Sequence, residues 1–593
     1  MNFTYRKNDN ASLFESVQRN ELLDIKEPQN YVPLYKKFFD LNDKNYDKIN
    51  LNNKKYLRRI IAMTDDNSCK GIIMNSKNNE ENAEIFFKYS PLLDPTKYLI
   101  GKYDENVNLM NLPKYNHSDC HAKVKDPNNA AYVDSFFTYL TSQLLHNHGI
   151  IHGIDFYGSF LGKKNNFKIN IADDVEYLND SDFFHKNRGT LFNIDNSFAD
   201  NFFNFDTRSN KNRIITHNEN LSDDFLNLGD INDISHLDSI FSDMKISDDI
   251  VEEKKVDLVF SYDISKSKPD SNVAISLDSA TNGDLEEEVD QENEEKNKES
   301  GSESDCSSRS SDTDNERDSD SDDDDDDDST SYSTASEDTL IATINTFPVQ
   351  VIALEKCYET MDTLIVDKAD SLTDKEWGSM ITQIIMQLII YQKIFDFTHN
   401  DLHTNNVMYI TTPKQYIYYK YNNRHYKIPT FGRIFKIIDF GRAIYKFRGN
   451  VICSDSYHQK GDAATQYNFE PYFNPDKPRL EPNYSFDLCR LACSLFDFII
   501  DDIKENPKSP ENAMKKIIIE WCNDDKNRNI LYKNNGEERY PDFKLYKMIS
   551  RTVHNHTPEK VIQQSYFNRY VLGKKKISKN AKIINIDSLP QYT

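Results

Sequence analysis

Apolar residues recur at helical spacing in some stretches of this chain and crowd into short strand-like runs in others. Between Ala130 and Leu145 the positions Val133, Phe136, Phe137, Leu140 and Leu144 fall at helical intervals and predict a helix. Asp374 to Phe395 repeats the pattern with Trp377, Ile381, Ile384, Ile385, Leu388 and Ile389. Asn483 to Ile500 reads as a buried helix. Ala83 to Ser90, AEIFFKYS, has the bulky apolar character of a strand. IIHGIDFYGSFLG and NFKINI predict two strands joined by a turn at Gly162-Lys-Lys-Asn-Asn. FPVQVIALEKCYE, opening at Phe347, predicts a strand that runs into a hinge-like turn. Residues 1–55 are polar, with a mixed helical patch near Leu34 to Leu41, and read as an N-terminal extension. No internal repeat breaks the series.

Composition changes this picture in the middle of the chain. The net charge is −25 over 593 residues. Residues 281–340 hold 25 acidic and 4 basic side chains, a net of −21, so the other 533 residues carry about −4 (−25 + 21). Asp322 to Asp328 is a run of aspartates flanked by Ser and Thr, with no apolar surface to offset chain entropy. The tract 281–340 is therefore expected to be disordered, and residues 171–280, rich in Asp, Asn and Ser, partly ordered. A basic partner is one expectation for the acidic tract, phosphorylation at Ser319, Ser321 and neighbours another, and a solvated chain the plainest. The absence of any basic surplus makes nucleic acid a poor default partner. Eight scattered cysteines without a CxxC fit a reducing, cytosol-like compartment. No apolar run approaches the ~20 residues of a membrane span, and no signal-peptide core is visible, so a soluble intracellular protein is expected.

Candidate chemistry is concentrated after the helix that ends at Phe395. His399-Asn400-Asp401-Leu402-His403-Thr404-Asn405-Asn406 is followed, 38 residues beyond Asp401, by Ile437-Ile438-Asp439-Phe440-Gly441, an apolar strand ending in DFG. Phosphoryl transfer needs a carboxylate to orient an acceptor hydroxyl and take its proton, and side-chain oxygens to hold a metal against the phosphates. An Asp and an Asn five residues apart on one loop, with an Asp ending a neighbouring strand, supply these groups. This HxDLxxxN…DFG arrangement resembles the protein kinase superfamily. The resemblance implies ATP and Mg²⁺, with Asp401 as base, Asn406 and Asp439 as metal ligands, and His399 as loop anchor packing near Phe440 and Gly441. It implies that Asp487, in SFDLCRLACSL, supports the loop from below. It also implies Lys88, in IFFKYS, as the phosphate-holding lysine, with Asp134 standing in for its usual helical Glu partner. Gly71 would be the remnant of a degenerate phosphate loop, Leu354 the gatekeeper, and Glu355 to Cys357 the adenine-contacting hinge.

Several positions depart from the family pattern. His403 stands where Lys is usual, as in some atypical, haspin-like members. Asn400 replaces the Arg that meets a phosphorylated activation loop, which puts that mode of regulation in doubt. No GxGxxG and no clean APE occur. Thr411 to Arg433 reads as an inserted, tyrosine-rich hairpin turning at Asn422-Asn423. Lys460 to Asn474 takes the activation-segment position. His117, Cys120 and His121 resemble half a metal site, but no second pair follows, so a metal-free loop is expected. Cys489 and Cys493, one helical turn apart, are expected to pack in a core.

The expected architecture is α+β: a bilobal protein-kinase-like fold with a small β-rich lobe and a larger helical lobe. The small lobe spans 56–170, is interrupted by the insertion 171–340, and resumes with a last strand and hinge at 345–357. The larger lobe and a C-terminal extension span 358–593. The expected activity is transfer of the ATP γ-phosphate to a serine or threonine of a protein substrate. The alternatives are a pseudokinase scaffold or virion component, and a small-molecule kinase. Richness in Asn, Asp, Lys, Ile and Tyr, with FYGSFLG and KGDAATQY, also resembles kinase-like proteins of giant DNA viruses.

Overall fold

The computed structural model describes residues 3, 5–7, 10–52, 54–103, 108–116, 119–194, 340–368, 371–500, 513–573 and 581–593. Most of the insertion read at 171–280, and all of the acidic tract except Leu340, lie outside these residues. The architecture is mixed α/β: a curled antiparallel sheet followed by a mainly helical region.

The sheet is built from β1 (Ile25–Gln29), β2 (Tyr56–Met63), β3 (Ser68–Met74), β4 (Glu80–Pro91), β5 (Phe156–Asn170), β6 (Phe192–Ile194) and β7 (Ile341–Glu355). Its order is β1-β5-β7-β4-β3-β2, with β6 pairing on β7. β7 is central, and every residue from Phe347 to Leu354 is buried. Both of its faces are covered there, which is why the sequence shows a continuous apolar run instead of alternation. β7 begins at Ile341, six residues before the predicted start.

β5 corrects a second expectation. The segment read as two strands and a turn is one continuous strand. Gly162, Lys163, Lys164 and Asn165 stay in register opposite Val349, Pro348, Phe347 and Thr346. Of residues 162–166 only Asn166 enters the left-handed region, at φ 50°, and the pairing with β7 continues past it to Asn170. Gly162 serves close packing instead of a turn, because a Cβ there would lie 2.5 Å from Cγ2 of Ile25 on β1. The polar N-terminal residues, read as an extension, therefore join the sheet through β1. Helix α1 (Ala11–Gln18) packs on β2 and buries Leu13 and Val17, one turn apart.

Helix α2 (Ala130–His148) packs against β5 and β7. It starts where the Asn129 side chain accepts the Ala131 N–H, and stops at Gly149, whose φ of 67° suits a left-handed C-terminal residue. The helical region contains α3 (Met361–Asp367), α4 (Asp374–Phe395), α5 (Phe486–Ile499), α6 (Ala513–Trp521) and α7 (Phe543–Thr552). Helix α4 opens with a reciprocal capping box between Thr373 and Glu376. The buried thiols Cys489 and Cys493 lie in α5, and Cys522 is buried just after α6.

Between α4 and α5 lie β8 (Val407–Thr411), β9 (Tyr416–Tyr421), β10 (Arg424–Pro429) and β11 (Arg433–Ile437). β9 and β10 form the expected hairpin. Asn422 and Asn423 make its turn at φ 49° and 59°, the left-handed pair that a two-residue hairpin turn requires. Two later strands, Val571–Leu572 and Ile583–Asn585, flank this hairpin and extend it to four strands. No helix among the described residues is long and apolar enough to cross a membrane.

Candidate active site

One buried carboxylate holds the loop that follows α4. Asp487, in the first turn of α5, accepts the His399 N–H through Oδ2 and the Asn400 N–H through Oδ1, each at 2.9 Å. Both donors would otherwise be unsatisfied in a dry interior, at about 1–3 kcal/mol each. Burial raises the Asp487 carboxyl above its ordinary range, against the opposing pull of His399 and these two N–H groups. His399 ties the loop to the strand beyond it. Its Nδ1 accepts the Asp401 N–H at 3.3 Å, so its Nε2 carries the proton and donates to the Ile438 carbonyl at 2.9 Å. Its ring also lies 5.6 Å from that of Phe440. Asn400 adopts φ 64°, a conformation Asn tolerates. Its side chain donates to Arg442 O at 3.1 Å and accepts from the Tyr467 hydroxyl at 2.7 Å.

Asp401, His403 and Asn406 are brought together on this loop. The Asn406 amide nitrogen lies 2.9 Å from the Asp401 carbonyl and 3.0 Å from His403 Nε2. These contacts occupy the donor end of the amide, and among the described residues its oxygen makes no hydrogen bond. Burial pushes His403 down to about 4, so its imidazole is neutral at pH 7. The Asp401 carboxyl is raised by burial, but Arg442, His403 once acid has protonated it, Arg490 and the Tyr546 hydroxyl hold it well below the usual carboxylate range. Tyr546 donates to Asp401 Oδ1 at 2.7 Å, and Arg442 Nη1 stands 3.6 Å from the same oxygen. The other arm of Arg442 pairs with Asp462 at 2.9 Å.

The sheet delivers a cation to the same place. Lys88 on β4 lies 2.7 Å from Asp134 on α2 and 2.8 Å from Asp439. Burial lowers the Lys88 ammonium, but the two carboxylates more than reverse this and the net shift is upward. Asp134 also accepts the Phe440 N–H at 2.9 Å, so the short Asp reaches both the lysine and the backbone beyond Asp439. Asp439 takes φ 62°. Its carboxyl is held down by Lys88 against the raising effect of burial, and its side chain keeps 27% exposure.

No family model matches the chain. Over 125 residues it is 35% identical to a probable serine/threonine-protein kinase of Dictyostelium discoideum. That match covers 18% of this chain and only 10% of the relative. It supports a kinase-like character and lends nothing to the viral likeness.

The remaining predicted residues are scattered by comparison. Gly71 lies inside β3, opposite Ile60 and Ala83, and a Cβ there would come within 2.6 Å of Ile85. Ala83 is five residues from Lys88, about 17 Å along an extended strand, so Gly71 is remote from the lysine. The turn nearest Lys88 is instead 64–67, where Asn67 O accepts the Phe87 N–H. That turn has no glycine and carries Asp65 and Asp66, paired with Lys356 at 3.4 Å and Lys168 at 2.6 Å. Leu354 on β7 sits opposite Phe86 and Phe156. The Glu355 side chain accepts the Asp155 N–H at 2.7 Å and pairs with Lys436, and the Glu355 N–H donates to Asp155 O at 2.9 Å. Cys357 follows, buried, in the connection to α3. His121, from the half metal site, accepts the Lys123 N–H and caps a short helix, while His117 lies outside the described residues. Tyr546, Arg442 and Arg490 were not singled out by sequence reasoning, and only folding brings them to Asp401, with Asp462 behind Arg442.

Proposed function

We propose that the chain is an ATP-dependent serine/threonine protein kinase of bilobal fold, with the sheet region as the small lobe and the helical region as the large one. The observation that carries this reading is the convergence of Lys88, Asp134 and Asp439 beside a loop whose Asp401 is ionised and anchored through Asp487. The similarity to a probable serine/threonine-protein kinase of Dictyostelium discoideum supports serine or threonine as acceptor.

In this reading Asp401 orients the acceptor hydroxyl and takes its proton. A low carboxylate pKa favours orientation over strong basicity, which suits a reaction where little covalent work falls to the protein. Asp439, partly exposed, and Asn406, whose amide nitrogen is engaged on the loop, would hold magnesium, and Lys88 would bind phosphate oxygens. Magnesium-bound ATP supplies the transferable phosphoryl group and neutralises its charge. Asp134 keeps Lys88 extended toward Asp439. Arg442 already binds an acidic residue, Asp462, in the activation segment, and Asn400 is committed to Tyr467. The segment is thus held by unmodified side chains.

A pseudokinase is the second reading. It is favoured by the turn at 64–67, where Asp65 and Asp66 put negative charge in the place of a glycine-rich phosphate loop. Magnesium-dependent ATP turnover decides between the two, measured on the protein itself and on a generic basic protein. Wild type is expected to transfer phosphate and Asp439→Asn to lose at least about 100-fold. A wild type that neither transfers phosphate nor gains thermal stability with nucleotide would move the reading to the scaffold.

A further inference from the structure

We infer that Tyr546 is a positioning residue for Asp401, its phenol holding one carboxylate oxygen so that the other is presented to the acceptor hydroxyl. The inference rests on the kinase reading. Tyr546 comes from α7, 145 residues beyond Asp401, outside every motif of the loop. Its hydroxyl makes two hydrogen bonds whose polarity is fixed by chemistry. Arg490 Nε, 2.9 Å away, can only donate, so the phenol proton points to Asp401 Oδ1 at 2.7 Å. Arg442 approaches the same oxygen. Among the described residues no hydrogen bond is made to Oδ2, which is therefore the oxygen left for a substrate.

The ring is fixed as firmly as its hydroxyl. It stacks on Phe543 with centroids 5.3 Å apart and planes at 18°. The guanidinium groups of Arg442 and Arg490 lie 5.4 and 5.1 Å from its centre. Only 5% of Tyr546 is exposed. A phenol that merely occupied the place of a substrate hydroxyl would have to leave for each turnover. A ring bedded in this way is built to stay, so it orients the carboxylate instead of blocking it.

Tyr546→Phe keeps the ring, the stacking and the cation contacts and deletes only the hydroxyl. The expected result is a fall in kcat for phosphate transfer of about 10- to 100-fold, the scale of a lost orienting contact. KM for ATP should stay within about twofold and the melting temperature within about 2 °C. Arg490→Gln, which removes the other partner of the phenol, should lower kcat by a smaller factor. An unchanged or higher rate in Tyr546→Phe, with wild type active, overturns the inference alone, and a rise would mark the phenol as a block. Parallel losses of ATP affinity and thermal stability would show a merely structural role and also overturn it. A wild type that transfers no phosphate overturns the kinase reading and the inference together.

Discussion

At the scale of single residues, the candidate site depends on carboxylates whose oxygens are divided between partners. Asp487 is the simplest case. Both its oxygens accept backbone N–H groups, and a second, longer tie to α5 runs from the Thr404 N–H to Ser494 Oγ at 3.3 Å. Asp487→Asn leaves one oxygen and turns an NH₂ against a backbone donor. It should lower stability by about 2–3 kcal/mol, the cost of one lost charge-assisted bond and one orphaned N–H. Denaturant unfolding of both proteins measures this, and a difference within about 0.5 kcal/mol would mean the loop is held by other contacts. The site was legible in sequence where its chemistry is contiguous, at His399 to Asn406 and Ile437 to Gly441. Lys88 and Asp134 were legible from strand and helix patterns, and the structure joins them. Tyr546 and Arg442 were not, because a lone tyrosine or arginine has no local signature. Gly71 was misleading because it was the sole glycine near the expected loop, and its real constraint is the Ile85 side chain.

At the scale of elements, the N-terminus of the helix that carries Asp134 is joined to the segment after Asp439 by Asp455. Asp455 accepts the Ala130 N–H at 3.0 Å, pairs with Lys123, and donates its own N–H to Asn128 O at 2.7 Å. It thus completes the N-terminus of α2 and fixes the helix against the helical region. Burial raises its carboxyl above the usual range, against the pull of Lys123. Asp455→Ala should cost about 2 kcal/mol, a lost cap plus a broken buried pair. On the kinase reading it should also weaken nucleotide binding, since Lys88 depends on the placement of α2. Thermal unfolding with and without magnesium-ATP tests both. A stability loss with no change in the nucleotide-induced shift would separate α2 from the nucleotide site. The fold was readable at this scale where local pattern and tertiary setting agree. Helix α4 starts and ends at the residues its periodicity implied. β5 was not readable as one strand, because Gly-Lys-Lys-Asn-Asn has turn composition and its partner strand lies some 180 residues further on. The N-terminal residues looked like an extension because their apolar positions are sparse, yet Val17, Leu23, Tyr31 and Leu34 are all fully or almost fully buried.

At the scale of the molecule, the sheet and the helical region are knit together beneath the hinge-like connection by a polar cluster that the sequence did not flag. His152, just ahead of β5, donates from Nδ1 to the Phe435 carbonyl on β11 at 2.8 Å, and its Nε2 accepts from the Tyr419 hydroxyl on the hairpin. Lys436, next along β11, donates to Gly153 O at 3.0 Å and pairs with Glu355 at the end of β7. Burial, helped by Lys436 and opposed by the Phe435 contact, pushes His152 from 6.5 down to about 4. The folded protein thus refuses a proton that the unfolded chain accepts. Above pH ~7 neither state is protonated and this residue contributes no pH dependence. As pH falls from about 6.5 to 4 the unfolded state gains the proton alone, and stability drops by up to about 3 kcal/mol in total. His152→Gln can still donate to Phe435 O but does not titrate. The stability gap between wild type and this variant should therefore narrow steadily from pH 7 to 4.5, while the other titrating groups cancel in the difference. Chemical denaturation at four or five pH values measures it. Parallel curves would mean that His152 takes up its proton in the folded state, and that the joint between sheet and helical region admits charge.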